Sequence, residues 1–159
     1  MDMQYARKAA ALRGMASVLA LAFLGAASPA PAQESSAARL RDILAKGAKP
    51  LSAEEVNALV PGAKVRNIGA GGAVRTWTNE SGGKFIAQSD DPTQRHLGRK
   101  HPQGPGTWRV DGGKYCVSIE WPLKSEQWCR VLFRLGDKYY GVKSADDPQA
   151  VALEFDFRR

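Results

Sequence analysis

Between residues 34 and 62 the apolar positions recur at helical spacing, and from residue 63 they alternate, so the period divides the chain into a helical opening and a β-rich body. Residues 34–46 place Leu40, Ile43 and Leu44 on one face, with Arg39, Arg41, Asp42 and Lys46 around the rest. That pattern predicts an amphipathic helix stopped by Gly47. A second, shorter helix follows, with Ser52 as N-cap, Glu55 as capping-box partner, and Val56, Leu59 and Val60 as the buried stripe. Leu51 is placed to staple onto Val56, and Pro61-Gly62 ends the helix.

The alternating part reads as a meander of short strands joined by turn chemistry. Residues 64–68 form a weak strand and residues 69–72 a glycine turn. Residues 73–78 form a better strand, in which Val74, Thr76 and Thr78 oppose Arg75 and Trp77. Residues 79–83 turn again, and residues 84–89 make a third strand. Four runs rich in β-branched and aromatic residues then follow between Gly106 and Val142, with tight turns at Asp111-Gly112-Gly113 and Gly136-Asp137. Pro122 cannot donate to a ladder, so residues 122–125 make the middle connection. Residues 150–157 alternate Val151, Leu153, Phe155 and Phe157 against Ala152, Glu154 and Asp156, a last strand placed to close the sheet. The fold expected is mainly β (α+β): a curled antiparallel sheet or partly closed calycin-like barrel of six to eight strands, with two short N-terminal helices.

Parity within these strands sets a problem. Tyr115, Val117, Ile119 and Trp121 share one face and are the expected core, whereas Trp108 and one of Tyr139 or Tyr140 must face elsewhere. Cys129 shares a face with Val131, Phe133 and Leu135, but Cys116 shares one with Lys114, Ser118 and Glu120. A flat hairpin cannot satisfy both, so a bulge, a sheet covered on both faces, or a different register is required.

The first 32 residues are read as a targeting segment rather than as structure. Arg7, Lys8 and Arg13 form a basic start, and residues 15–27 are 13 uncharged, largely apolar residues. That is fewer than the roughly 20 a membrane-spanning helix needs. Small residues at Ala30 and Ala32 predict cleavage after Ala32, with Ala27 and Ala30 as alternatives. No cysteine stands there to take a lipid, so a lipid-anchored lipoprotein is not expected, and the chain divides into signal peptide 1–32, helical segment 33–62, and antiparallel β domain 63–159 forming one unit with the helices. Removing the signal leaves 127 residues, enough for one domain to bury a core, and lowers the formal charge from +7 to +5. An excess of that size favours anionic partners by steering and says little about fold. An exported chain meets an oxidising compartment, and Cys116 and Cys129 have only each other as intramolecular partners, so a disulfide is expected. Their spacing excludes a Cys-x-x-Cys redox motif.

The segments Gly106-Thr-Trp-Arg-Val-Asp-Gly-Gly-Lys-Tyr-Cys-Val and Trp128-Cys-Arg-Val-Leu-Phe-Arg-Leu-Gly-Asp-Lys-Tyr-Tyr join Gly-x-Trp, a glycine turn, and a cysteine in each of two strands before a Gly-Asp turn. In this the chain resembles small exported proteobacterial proteins grouped as the domain-of-unknown-function 995 family, and the opening Leu51-Ser-Ala-Glu-Glu-Val with its Pro-Gly stop is similar to their N-terminal part. The resemblance implies a secreted β-rich domain. It carries no catalytic residues with it.

Candidate chemistry concentrates in residues 90–105, a polar stretch that interrupts the meander. His96 and His101 are five apart but lack the third and fourth ligands a zinc site wants, so no metal is expected. Arg95, Arg99 and Lys100 are placed to clamp a phosphate or carboxylate, and with His96, His101 and Trp108 they make the candidate ligand-binding set. There is no Gly-x-Ser-x-Gly elbow, and paired cysteines leave no thiol nucleophile. Glu120 and Glu126 flank the same connection and raise the two-carboxylate arrangement of a glycosidase. The reading is a periplasmic or secreted, non-enzymatic binding or interaction protein without a cofactor, taking an anionic envelope component or a protein as partner. Nucleic acid is not expected, nor is a membrane span. A hydrolase of envelope polymers and an inhibitor of a host or competitor enzyme are the alternatives.

Overall fold

A computed structural model describes residues 37–91 and 101–159, which belong to one compact unit. Among the described residues, two helices, α1 (Leu40–Ala45) and α2 (Ala53–Leu59), accompany nine strands: β1 (Lys49–Pro50), β2 (Lys64–Ile68), β3 (Val74–Thr78), β4 (Lys84–Ser89), β5 (Gln103–Asp111), β6 (Lys114–Glu120), β7 (Ser125–Leu135), β8 (Lys138–Val142) and β9 (Leu153–Arg158). Each strand from β2 to β9 pairs antiparallel with the next, and β9 returns to β2, so eight strands close an up-and-down barrel. The short β1 adds to the end of β7 through Lys49↔Arg134 and Pro50↔Phe133. The expected calycin-like architecture is therefore present, and closed.

The inward residues fill the lumen. Val65, Trp77, Phe85, Ala87, Tyr115, Val117, Ile119, Trp121, Leu132 and Phe155 form one buried cluster with Val56 of α2 and its C-cap Val60, and α2 seals one end. Tyr115 alone meets Trp128, Phe155 and Phe157 edge to face. The Phe85 ring lies where a side chain on Gly106 would be: a Cβ there would sit 2.3 Å from Phe85 Cε2. Under α2, buried Asn79 ties three elements together. Its Oδ1 accepts from Trp77 Nε1 (2.9 Å) and from the Tyr115 hydroxyl (2.8 Å), and its Nδ2 donates to the Val60 carbonyl (2.9 Å).

The second helix forms as its sequence predicts: Glu55 N–H donates to Ser52 Oγ (3.2 Å) and Ser52 N–H to the Glu55 carboxylate (2.7 Å). The first helix is shorter than the expected 34–46. It begins at Leu40 because Ala38 and Arg39 run extended beside residues 150–152, where Ala38 O accepts from Ala152 N (2.8 Å) and Arg39 bridges Val151. This contact also delays the last strand to Leu153. Residues 103–105, expected in a loop, belong to β5 and pair with Gln88, Ala87 and Ile86. Gly104 faces inward where a Cβ would lie 2.6 Å from Glu120 O, so its glycine serves a close approach of strands and not a turn.

The parity problem resolves without a bulge. Cys116 and Cys129 are direct cross-strand partners and form a disulfide on the outer face. The outer face of β7 is apolar because α1 covers it: Leu40, Ile43, Ala48, Phe133, Val142, Ala150 and Ala152 form a second buried cluster outside the barrel wall. Tyr140 packs there and Tyr139 packs inward. Trp108, expected to face away from the core, instead takes the inward parity of its partner Val117 and packs against the main cluster. Elsewhere most outward positions are polar and exposed, among them Lys64, Arg66, Thr76, Gln88 and Arg109, although Ile86 on β4 is outward and exposed too, a largely polar exterior unlike that of a membrane-spanning barrel. Among the described residues no helix is long and apolar enough to cross a membrane.

Candidate functional site

Opposite α2, the connections 69–73, 121–124 and 143–152 surround the other end of the barrel, and here the inward positions turn charged. Arg75 on β3 and Glu126 on β7 stand on strands that face each other across the eight-strand ring, and their 2.7 Å ion pair crosses the lumen. Their side chains are only 15% and 20% exposed, which strengthens the pairing relative to a surface pair and raises the cost of removing one partner. Glu126 Oε1 also accepts from Trp121 Nε1 (3.0 Å), and the Arg75 guanidinium lies 5.9 Å from the centre of the Trp121 ring.

A second guanidinium stands nearby. Arg130 shares the inward parity of Glu126, Trp128 and Leu132, and its carbon lies 5.5 Å from the centre of the Trp128 ring. Gly141 makes room for it, since a Cβ there would come within 2.9 Å of Arg130 Cδ. Arg130 Nε is buried without a hydrogen-bond partner, and among the described residues no hydrogen bond or ion pair engages the rest of the group. Burial lowers its pKa and the charge of Arg75 lowers it further, against an opposing effect of Glu126. An arginine starts so high that it stays protonated. A buried, charged donor left unmatched costs about 1–3 kcal/mol or more, so this side chain stands out from the satisfied polar groups around it.

Arg130 lines a cleft of about 630 Å³ with Arg39, Lys143, Asp147, Ala150 and Val151. Arg75 lines a neighbouring one of about 690 Å³ with Asp90, Asp91, Lys124 and the 69–73 turn. Both are large enough for a small organic molecule. The first carries three cations against one anion, the second two of each. The Arg130 cleft is thus the one suited to an anion.

Of the residues singled out from sequence, those the structure describes do not assemble into this site. Arg95, His96, Arg99 and Lys100 lie outside the described residues. His101 is exposed just before β5. Trp108 lies toward the α2 end, its Nε1 donating to the Glu80 carbonyl (2.9 Å). Cys116 and Cys129 are joined outside the wall. Glu120 and Glu126 fall on opposite faces of the wall, because Glu126 pairs with inward Ile119 whereas outward Glu120 accepts from the Ser125 hydroxyl. They cannot flank one bond. Among the described residues no three His, Cys, Asp or Glu side chains come together as metal ligands. Sequence reasoning missed Arg75 and Arg130 and weighed Glu126 only as a partner of Glu120; their signal was charge at inward parity, for Arg75 alternates with Trp77 and Arg130 sits between Trp128 and Leu132. No family model, curated protein or solved structure matches the chain.

Proposed function

We propose that the chain is an exported, non-enzymatic binding protein of the domain-of-unknown-function 995 type that takes a ligand at the barrel mouth beside Arg130. The observation that carries this reading is Arg130, whose guanidinium has no hydrogen-bond partner among the described residues and which lines an open, cation-rich cleft. Export is supported by the basic and apolar start of the sequence together with the disulfide. The separation of Glu120 from Glu126 removes the carboxylate pair on which a hydrolase would most readily be built. Native mass spectrometry of protein purified from its own compartment tests the proposal. A small molecule should be retained and released on denaturation, and a mature start near Gln33 should appear in the same spectrum. Conversion of the retained molecule into a product on incubation would overturn the non-enzymatic reading.

A further inference from the structure

We infer that the ligand of this mouth is a carboxylate on an apolar body, with its carboxylate held by the Arg130 guanidinium; the inference rests on the binding reading above. Arg75 and Arg130 flank one carboxylate, Glu126, and in the cleft that Arg130 lines, Arg39, Arg130 and Lys143 stand against Asp147, an excess of positive charge that an anion offsets. Glu126 is committed to Arg75 and Trp121, which leaves Arg130 as the open guanidinium. A guanidinium presents pairs of N–H groups as a planar fork that matches the two oxygens of a carboxylate, and among the described residues no hydrogen-bond partner engages those of Arg130, which lines the cleft. A metal cation is excluded at this position by charge.

The surroundings decide what the carboxylate is attached to. Deeper entry is blocked, because Trp77, Phe85, Tyr115 and Phe155 already fill the lumen toward α2. The body must therefore extend outward along the cleft, where Ala150 and Val151 supply apolar wall and the Trp128 ring backs the guanidinium. A long polyanion would need a line of exposed cations. The cleft offers instead one recessed arginine, with Lys143 and Arg39 at its rim, and Arg39 already donates to the Gln149 carbonyl (2.9 Å). That arrangement favours a small molecule.

The experiment titrates the purified protein with decanoate, with decan-1-ol as its neutral counterpart, and with inorganic phosphate, following tryptophan fluorescence and heat. Wild type should bind decanoate in preference to decan-1-ol, and phosphate should compete weakly. Arg130→Met should lower decanoate affinity about ten- to a hundredfold, the usual effect of losing a charged hydrogen-bonded contact, and leave decan-1-ol binding unchanged. Arg130→Lys keeps the charge without the fork and should fall between, which preserves the test if the methionine variant fails to fold. Glu126→Gln removes the counter-charge and should tighten decanoate binding. Equal binding of decanoate and decan-1-ol, or equal decanoate affinity in wild type and both Arg130 variants, would overturn the carboxylate assignment while leaving a binding protein. Phosphate competing as well as decanoate would overturn it in favour of an inorganic-anion site. Failure to bind decanoate at all would also overturn it, and the broader binding reading falls only if protein from its own compartment retains no ligand either.

Discussion

Replacing Asn79 by alanine should destabilise the barrel far more than replacing Tyr115 by phenylalanine, although the two side chains share a hydrogen bond. Asn79 is fully buried and makes three side-chain bonds: from Trp77 Nε1, from the Tyr115 hydroxyl, and to the Val60 carbonyl. At about 1 kcal/mol net for each, Asn79→Ala should cost about 3 kcal/mol. Part of the loss is cushioned. Trp77 Nε1 keeps the Tyr115 oxygen at 3.0 Å, and the Val60 carbonyl still accepts from Ala63 N–H at 3.3 Å, so the group left most exposed to the loss is the Tyr115 hydroxyl proton. In Tyr115→Phe the indole keeps Asn79 Oδ1, no partner is orphaned, and the cost should be about 1 kcal/mol. Urea unfolding of both variants, with unchanged dependence on denaturant, measures the difference. A cost for Asn79→Ala no larger than that for Tyr115→Phe would refute the account of how α2 is fastened to the barrel.

Reduction of the native protein should raise its mass by two protons, with no thiol reactive beforehand, and Cys116→Ser combined with Cys129→Ser should cost about 2–5 kcal/mol in unfolding experiments; ready labelling of both thiols without reductant would contradict this. Burial pushes the Tyr115 phenol well above its usual 10, against the lowering effect of its bonds with Trp77 and Asn79. The unfolded chain then loses that proton first. The stability this confers is fully present below about pH 10 and is lost as pH rises from there toward the raised folded value. The phenolate absorbance that Tyr115→Phe subtracts should therefore appear only with unfolding, and its appearance in the folded protein near pH 10 would count against burial of the hydroxyl.

The sheet was legible because its punctuation is local. Gly112-Gly113 and Gly136 adopt the positive φ their turns require, and alternation in residues 114–120 and 153–157 states which side is buried. The capping box at Ser52 was legible for the same reason. The double-sided burial of β7 was one of three options that parity left open, and the sequence could not choose it because it depends on α1 arriving from the other end of the chain to cover Phe133. Residues 103–105 read as a loop because composition registers glycine and proline but not the nearby Glu120 backbone that makes Gly104 necessary. The site was hidden by a similar non-locality. Arg75 and Glu126 are far apart in sequence, and only closure of the ring places β3 opposite β7. What was visible, arginine at inward parity, becomes informative once inside and outside are assigned.

The most direct test of the mouth as an anion site reads the Arg130 guanidinium itself, through the Nε–H resonances of protein labelled with nitrogen-15. Arg130→Lys should remove one cross-peak, which assigns it. Saturating decanoate should move that peak downfield, as expected for a new charged hydrogen bond, and decan-1-ol should leave it in place. A peak that stays put while decanoate binds would contradict the central claim.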